Sequence, residues 1–399
     1  MLQQRPARLL YVMVFAYFAF GLTGVIGALT PDIIADYHVT RFAAGFLGSA
    51  LYLAMAVFAI PSGLLTDSLG ARIVVMSGVA MMGLGSLVMT QSHGYALILA
   101  MIFAIGVGQT LIQTCGNPLI QKLDVPRNYH RNLTFTIAFA TFGGFLSIFF
   151  LACIKGTGRP WQSYYFIFAI VCLIVLLFLG LSKFPPRAGG GEPIRLDQIG
   201  KLLRNPILLT YGLGVYIYVS AEFGTYFWIP KFFEDVHHVP AAAANAGAAT
   251  FLQRVFPSLP ALIYALFLGM QGVGRLVGGA VLNRFGCRRV LRFYSVMALA
   301  SLLVATFGSK ILTIIGFVAC GFFTSVIFTL IFSGTINSFT EYQGTISGLL
   351  CTAYVGPALV SPLEGWVGDH FGMRMALLVP AILMTYVVGL AMFGRAKYE

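Results

Sequence analysis

The chain has 399 residues, of which 58% are hydrophobic and only 10% charged, with a formal net charge of +12. Soluble domains carry about 25% charged residues, so a water-facing globule is excluded and lipid must be the solvent for most of this chain. The basic residues lie in short segments between apolar runs and not on one water-exposed domain, which argues against nucleic-acid binding.

A membrane helix needs roughly 20 apolar residues. The apolar runs predict twelve spans, at 9–31, 43–66, 73–91, 95–121, 132–154, 161–183, 206–232, 261–282, 290–308, 311–338, 344–368 and 375–394. Arg5 and Arg8 precede the first run, but that run exceeds the roughly 7–15 residues of a secretory leader and no small-residue cleavage site follows it. It reads as a span. Between spans six and seven lies 184–205, with Pro185, Pro186 and Gly189-Gly190-Gly191, the composition of a flexible linker. It divides the chain into halves at 1–183 and 206–399. After span seven, Ala241 to Arg254 is expected to form a helix on the outer surface.

With both termini on one side, about 17 Lys and Arg fall on that side and about 7 on the other, and Arg275 alone lies within a span. The positive-inside rule makes the richer side cytoplasmic. Asn132-Leu-Thr134 matches the N-glycosylation acceptor pattern, but this topology puts it on the cytoplasmic side, which argues against a glycan there. The six cysteines are scattered at positions that suit packing, without metal-ligand spacing.

The halves echo each other. Gly63-Leu-Leu-Thr-Asp67-Ser-Leu-Gly70-Ala-Arg72 follows span two, and Gly279-Ala-Val-Leu-Asn283-Arg284-Phe-Gly286-Cys-Arg288 follows span eight, 216 residues later. A weaker copy, Asp369-His-Phe-Gly372-Met-Arg374, follows span eleven on the opposite side. Parallel halves with nested inverted repeats are a transporter design. The Gly63–Arg72 stretch resembles the loop motif of the major facilitator superfamily, which implies an all-α membrane fold of two six-helix halves. The resemblance makes Asp67, Arg72, Arg275 and Arg288 gating residues, while Asn283 stands in the second copy for the acid at Asp67. Gln113-Thr-Cys-Gly-Asn117-Pro118, Ala221-Glu222-Phe-Gly, Gly274-Arg275 and Gly356-Pro357 through Pro362 resemble elements of the fucose–galactose–glucose:proton symporter branch. In that branch a glutamate linked to proton handling stands where this chain has Gln113. Glutamine cannot ionise, so proton coupling requires another group, and sodium coupling or uniport stays open.

Ionisable groups inside a bilayer are functional candidates by default because burying their charge costs about 2.5–3.5 kcal/mol each on insertion scales. Glu222 leads. Tyr218, Glu222 and Tyr226 share one helix face at i, i+4, i+8, a wall of two phenols and a carboxylate suited to a sugar, with Glu222 also the candidate ion-coupling acid. Gln109, Gln113 and Asn117 share a face of span four, and amides read hydroxyls without a charge; interhelical glue is the competing role. Gln271 and Tyr354 are further contact candidates, and Arg275 sits beside Gln271 and the Gly274/Gly278 pair. Glu364, a second ion-coupling candidate, and Asp32 are placed near outer span ends within reach of water. The glycines at Gly21, Gly24, Gly27 and Gly143-Gly144 read as close packing or bends.

These features predict a secondary transporter of a small hydroxylated solute, most simply a monosaccharide, working by alternating access and coupled to a proton or sodium ion. It is expected to be a monomer, to need no cofactor or metal, and to sit in a bacterial inner membrane with both termini cytoplasmic. An exporter of apolar compounds and an organic-anion carrier at Arg275 are the alternatives on the same fold. A membrane-embedded enzyme is remote, because all six histidines fall in loops or at span ends.

Overall fold

The computed structural model describes residues 7–92, 94–123, 129–185, 204–239, 259–339 and 343–394. The expected surface helix at 241–254 and most of the 184–205 linker fall outside them. All regular secondary structure among the described residues is helical. In chain order the helices are α1 Ala7–Gly21, α2 Val25–Tyr37, α3 Arg41–Leu69, α4 Ala71–Met89, α5 Tyr95–Leu123, α6 Tyr129–Gly156 and α7 Ser163–Gly180. They continue as α8 Pro206–Phe227, α9 Ile229–His237, α10 Leu259–Phe285, α11 Cys287–Phe307, α12 Lys310–Thr324 and α13 Ile327–Asn337. The last are α14 Gln343–Thr352, α15 Val355–Phe371, α16 Met373–Ala376 and α17 Leu378–Phe393.

Eleven segments among the described residues are helical, long and apolar enough to cross a membrane. The expected eleventh span is the exception, since it breaks at Ala353-Tyr354 into α14 and α15. Four other crossings are also interrupted, the last of them at Leu377 between α16 and α17. Leu22–Gly24 form a 3-10 turn between α1 and α2, Trp228 separates α8 from α9, and Ser325-Val326 separate α12 from α13. The first crossing runs on to Tyr37, past the expected end at 31, and Pro31 is accommodated inside α2. Asp32 therefore lies within the helix, partly exposed, and pairs with Lys155 at 2.6 Å.

Local chemistry sets several helix ends. Thr40 accepts a hydrogen bond from Ala43 N at the start of α3, and Asn205 accepts from Ile207 N at the start of α8, with Pro206 at the first helical position. The three copies of the loop motif turn on one conformation: Gly70, Gly286 and Gly372 have φ of 86°, 79° and 86°, a region that residues with a Cβ rarely enter. The two stronger copies also share a contact. Arg72 donates to Gly180 O at 2.8 Å and Arg288 to Gly394 O at 2.6 Å, each closing the end of its half's last helix. Asp67 lies in α3, but its side chain is outside the described set.

Two ends of the bundle follow from this topology. The proximal end carries Ala7, Gly394 and the Gly70 and Gly286 turns; the distal end carries His38, Gly158, His238 and Gly372. Glycine lets backbones meet where helices cross. A Cβ at Gly21 would lie 1.8 Å from Ala140 O, and one at Gly143 would lie 2.2 Å from Phe18 O, so α1 and α6 touch main chain to main chain. Large apolar side chains such as Leu173, Leu177, Phe178 and Ile311 face outward, as a lipid solvent requires.

Candidate functional site

A cavity of about 190 Å³ lies where α1, α3, α5 and α6 of the first half meet α8, α10, α13 and the α14–α15 break of the second. Its walls carry Gln109 and Gln113 from α5, Glu222 and Tyr226 from α8, Gln271 and Arg275 from α10, and Tyr354. Pockets for drug-sized ligands span about 300–1,000 Å³, so this smaller space suits a small solute.

Glu222 is the hub. Its Oε1 accepts from the Tyr218 hydroxyl at 2.9 Å and from the Gln271 amide, and Arg275 approaches to 4.0 Å. The guanidinium is held by Ser325 O at the α12–α13 break and by Thr141 Oγ1 of the first half. Gly274 and Gly278 let α10 approach that break, since a Cβ on either would lie 2.4 Å from Ser325 Oγ or Val326 Cγ1. Arg275 thus ties the carboxylate, the broken tenth crossing and the opposite half together. A buried charge needs such partners, because leaving it bare costs several kcal/mol.

The candidate residues divide by position. Gln109 lines the cavity, but its amide nitrogen donates to Phe20 O at 2.9 Å and Thr23 Oγ1 at 2.6 Å, bracing the 3-10 break of the first crossing. Gln113 also lines it, close to Tyr354 of the opposite half. Asn117 is not among the lining residues; its carbonyl accepts from the Tyr17 hydroxyl at 2.5 Å. Tyr218 is fully buried behind Glu222, with its hydroxyl 2.5 Å from Thr324 O, and does not line the cavity either. Arg72 and Arg288 lie at the proximal end, away from it.

Glu364 needs a correction. The sequence places it within reach of water, whereas the structure buries it completely, with Trp228 Nε1 at 3.1 Å from Oε2. The cause is Gly224, whose missing side chain leaves room for the carboxyl; a Cβ there would lie 1.9 Å from Oε1.

Other lining residues went unnoticed in the sequence. Tyr52 of α3 reaches Tyr226, hydroxyl to hydroxyl at 3.4 Å, and stacks on Tyr354 at 6.4 Å between ring centroids with planes 10° apart. Tyr264 of α10 donates to Gly24 O across the halves, and its ring lies 5.9 Å from that of Tyr226. Phe328 approaches Tyr354 at 5.7 Å. Each is one more aromatic in an aromatic-rich chain. Only a hydroxyl placed at mid-span, where it must find a partner, could have flagged Tyr52 and Tyr264.

On the distal side of the cavity the halves are shut against each other. Ser49 donates to Ala358 O at 2.5 Å, a Cβ at Gly45 would lie 2.7 Å from Pro362 Cα, and one at Gly365 would lie 2.4 Å from Arg41 O. At the rim Arg41 bridges Asp235 at 2.9 Å and Asp369 at 3.1 Å, and Lys231 joins Asp235 at 3.2 Å. Nearby, burial and then the positive charges of Arg374 and Lys310 push the His237 imidazole below its usual range.

Residues 9–256 match the family model for the Major Facilitator Superfamily. The glucose/galactose transporter of Brucella abortus is 25% identical over 94% of this chain and 92% of its own length. The L-fucose-proton symporter of Escherichia coli is 24% identical over 92% and 88%. Among solved structures, the transporter FucP in its outward conformation superposes with a TM-score of 0.73 at 21% identity, covering 97% of this chain and 99% of that one. A variant of the nucleoside transporter NupG gives 0.74 at 14% identity, over 96% and 98%. At these identities the structural likeness speaks for the fold alone.

Proposed function

The chain belongs to the Major Facilitator Superfamily, a multi-pass membrane transporter and not an enzyme, and on that footing we propose that it moves a monosaccharide by alternating access. Residues 1–183 and 206–399 act as the two rocking bodies and 184–205 as the linker between them, around a central site of the kind such folds use. The observation that carries the reading is the chemistry of the cavity wall. Tyr52, Tyr226, Tyr264 and Tyr354 supply aromatic faces and hydroxyls, and Gln113 and Gln271 supply amides. Aromatic faces cover the apolar side of a pyranose, while amides and the Glu222 carboxylate exchange hydrogen bonds with its hydroxyls. The relatives named for glucose, galactose and L-fucose support the same cargo.

Glu222 is the proposed coupling acid. It lines the cavity, and Arg275 is positioned to balance its charge when it is ionised. Protonation would release Arg275 from that pairing and loosen the Arg275–Thr141 tie between the halves. In this way an ion, proton or sodium, biases which end is open, as any ligand must that distinguishes the two states. Gln109, Asn117 and Tyr218 are assigned supporting roles behind this wall, and Asp67, Arg72 and Arg288 roles at the proximal end. The excess of Lys and Arg on the proximal side supports a cytoplasmic position for that end, in a bacterial inner membrane.

The test is uptake by proteoliposomes of a radiolabelled hexose and deoxyhexose panel under imposed proton or sodium gradients. Gradient-driven accumulation of one sugar, competed by its unlabelled form, is the expected result. If no sugar enters under either gradient, the cargo assignment fails, and the anion carrier built on Arg275 takes its place.

A further inference from the structure

Glu364 is a second carboxyl, and the cavity does not use it. It is fully buried, it lies on α15 between α3 and α8, and among the described residues its Oε1 meets no hydrogen-bond donor. The hydroxyl of Ser361, one turn away on the same helix, is buried and unpartnered as well. Charged groups stand on every element packed around this point. They are Arg41 on α3, Glu222 on α8, Lys231, Glu234, Asp235 and His237 on α9, Asp369 on α15 itself and Arg374 on α16. Arg41 is paired with Asp235 and Asp369, Lys231 with Glu234 and Asp235, and Glu222 with Gln271, Tyr218 and Arg275, while His237 bonds Thr313 and Arg374 lies near the His237 imidazole. His370, the nearest imidazole in sequence, bonds Trp366 O. Glu364 is left with the Trp228 indole alone.

An ionised carboxylate with one neutral donor in a dry site would cost several kcal/mol. A neutral carboxyl escapes that charge penalty: it keeps the Trp228 bond and leaves only its O–H to satisfy, a smaller cost. A bound metal cation does not fit the same space, because hard cations gather several oxygen ligands and the room left by Gly224 is taken up by the carboxyl itself. The residues on either side of Glu364 are those that close the distal end: Pro362 lies against Gly45, and Gly365 against the Arg41 backbone.

We propose that Glu364 is a proton-binding site that latches the distal seam: the seam closes with Glu364 protonated, and ionisation of Glu364 favours the distally open state. The inference rests on the alternating-access reading above and assigns Glu364 work separate from that of Glu222. Closing the seam takes up a proton, so raising the pH draws the equilibrium toward the open state. No bond to carbon changes; the proton passes between water and Glu364 Oε1 when α3 leaves α15.

The experiment follows the distal separation directly, with spin labels at exposed Ala35→Cys on α2 and Ile311→Cys on α12, the six native cysteines replaced. Pulsed dipolar distances are read from mildly acidic to mildly alkaline pH in sodium-free buffer and again with sodium, and the protonated-carboxyl stretch is followed in infrared difference spectra. The parent should shift from closed to open as pH rises, with the carboxyl band fading in step. Glu364→Gln, neutral at every pH, should stay closed, with its open population at alkaline pH lowered by about tenfold or more. Gly224→Ala, which displaces the carboxyl, should open the seam at pH values where the parent is shut. A Glu364→Gln protein that titrates like its parent overturns the proposal, as does a pH response present only with sodium. No sugar enters this measurement, so a blank hexose panel would sink the cargo assignment and leave the latch standing or falling by itself.

Discussion

Glu222 and Glu364 both lie in the second half of the chain and both face α8 or belong to it, yet they keep different company. Around Glu222 the wall is polar and redundant: a tyrosine, an amide and an arginine converge on one carboxylate, and Arg275 continues to the opposite half. Around Glu364 the wall is glycine, proline and backbone, with a single indole bond. The first region can hold a charge and offers hydrogen bonds to the proposed solute. The second excludes water by close packing and tolerates only a neutral group. One carboxyl is suited to reading cargo and coupling ion together, the other to registering whether the distal end is shut.

The largest expected effect sharpens that contrast from the packing side. Gly45→Leu forces a side chain into Pro362 of α15, and overpacking of this kind costs about 1–3 kcal/mol or more. Distal closure should fail and net uptake should fall by roughly tenfold to a hundredfold, while sugar binding from the distal side survives in equilibrium measurements. Equal losses of binding and transport would erase the division between seam and cavity.

A smaller effect probes the cavity. Gln113 and Tyr354 meet from the two halves at the wall, within reach of a shared hydrogen bond or a shared solute hydroxyl. A neutral hydrogen bond contributes about 0.5–1.5 kcal/mol. Tyr354→Phe and Gln113→Ala should each weaken sugar affinity by about 2- to 12-fold, and the double variant should lose less than the sum because the partners are shared. Additive losses in titration calorimetry would mean that the two side chains act apart.

The smallest belongs to the rim. Arg41, Asp235 and Asp369 are partly exposed, and such pairs contribute about 0–1 kcal/mol each and weaken with salt. Asp369→Asn should slow turnover no more than about fivefold, with the difference vanishing in high salt. A larger, salt-insensitive defect would move the closing force from the buried seam to the rim.

The spans and the half-chain echo were legible because each leaves a local mark: an apolar run, or a glycine whose φ only glycine tolerates. Gly70, Gly286 and Gly372 adopt nearly one conformation for that reason. The breaks at Leu22–Gly24, Trp228, Ser325-Val326 and Ala353-Tyr354 were not legible, since an apolar run reads the same whether or not the helix is continuous. Helix spacing gathered Tyr218, Glu222 and Tyr226 on one face but could not say that Tyr218 points to Thr324 and away from the cavity. The burial of Glu364 depended on Gly224, 140 residues away in sequence, and no local pattern carries that distance. Tyr52 and Tyr264 are likewise defined only by what faces them across the halves.

The most direct test of the account compares the parent protein with Glu222→Gln in proteoliposomes, measuring gradient-driven accumulation and counterflow exchange of the same labelled sugar. The account predicts that the variant keeps exchange at a reduced rate and loses accumulation, because it can still rock around a bound solute but no longer senses the ion. Accumulation that survives in Glu222→Gln at the parent's level would contradict it and remove Glu222 from the coupling role.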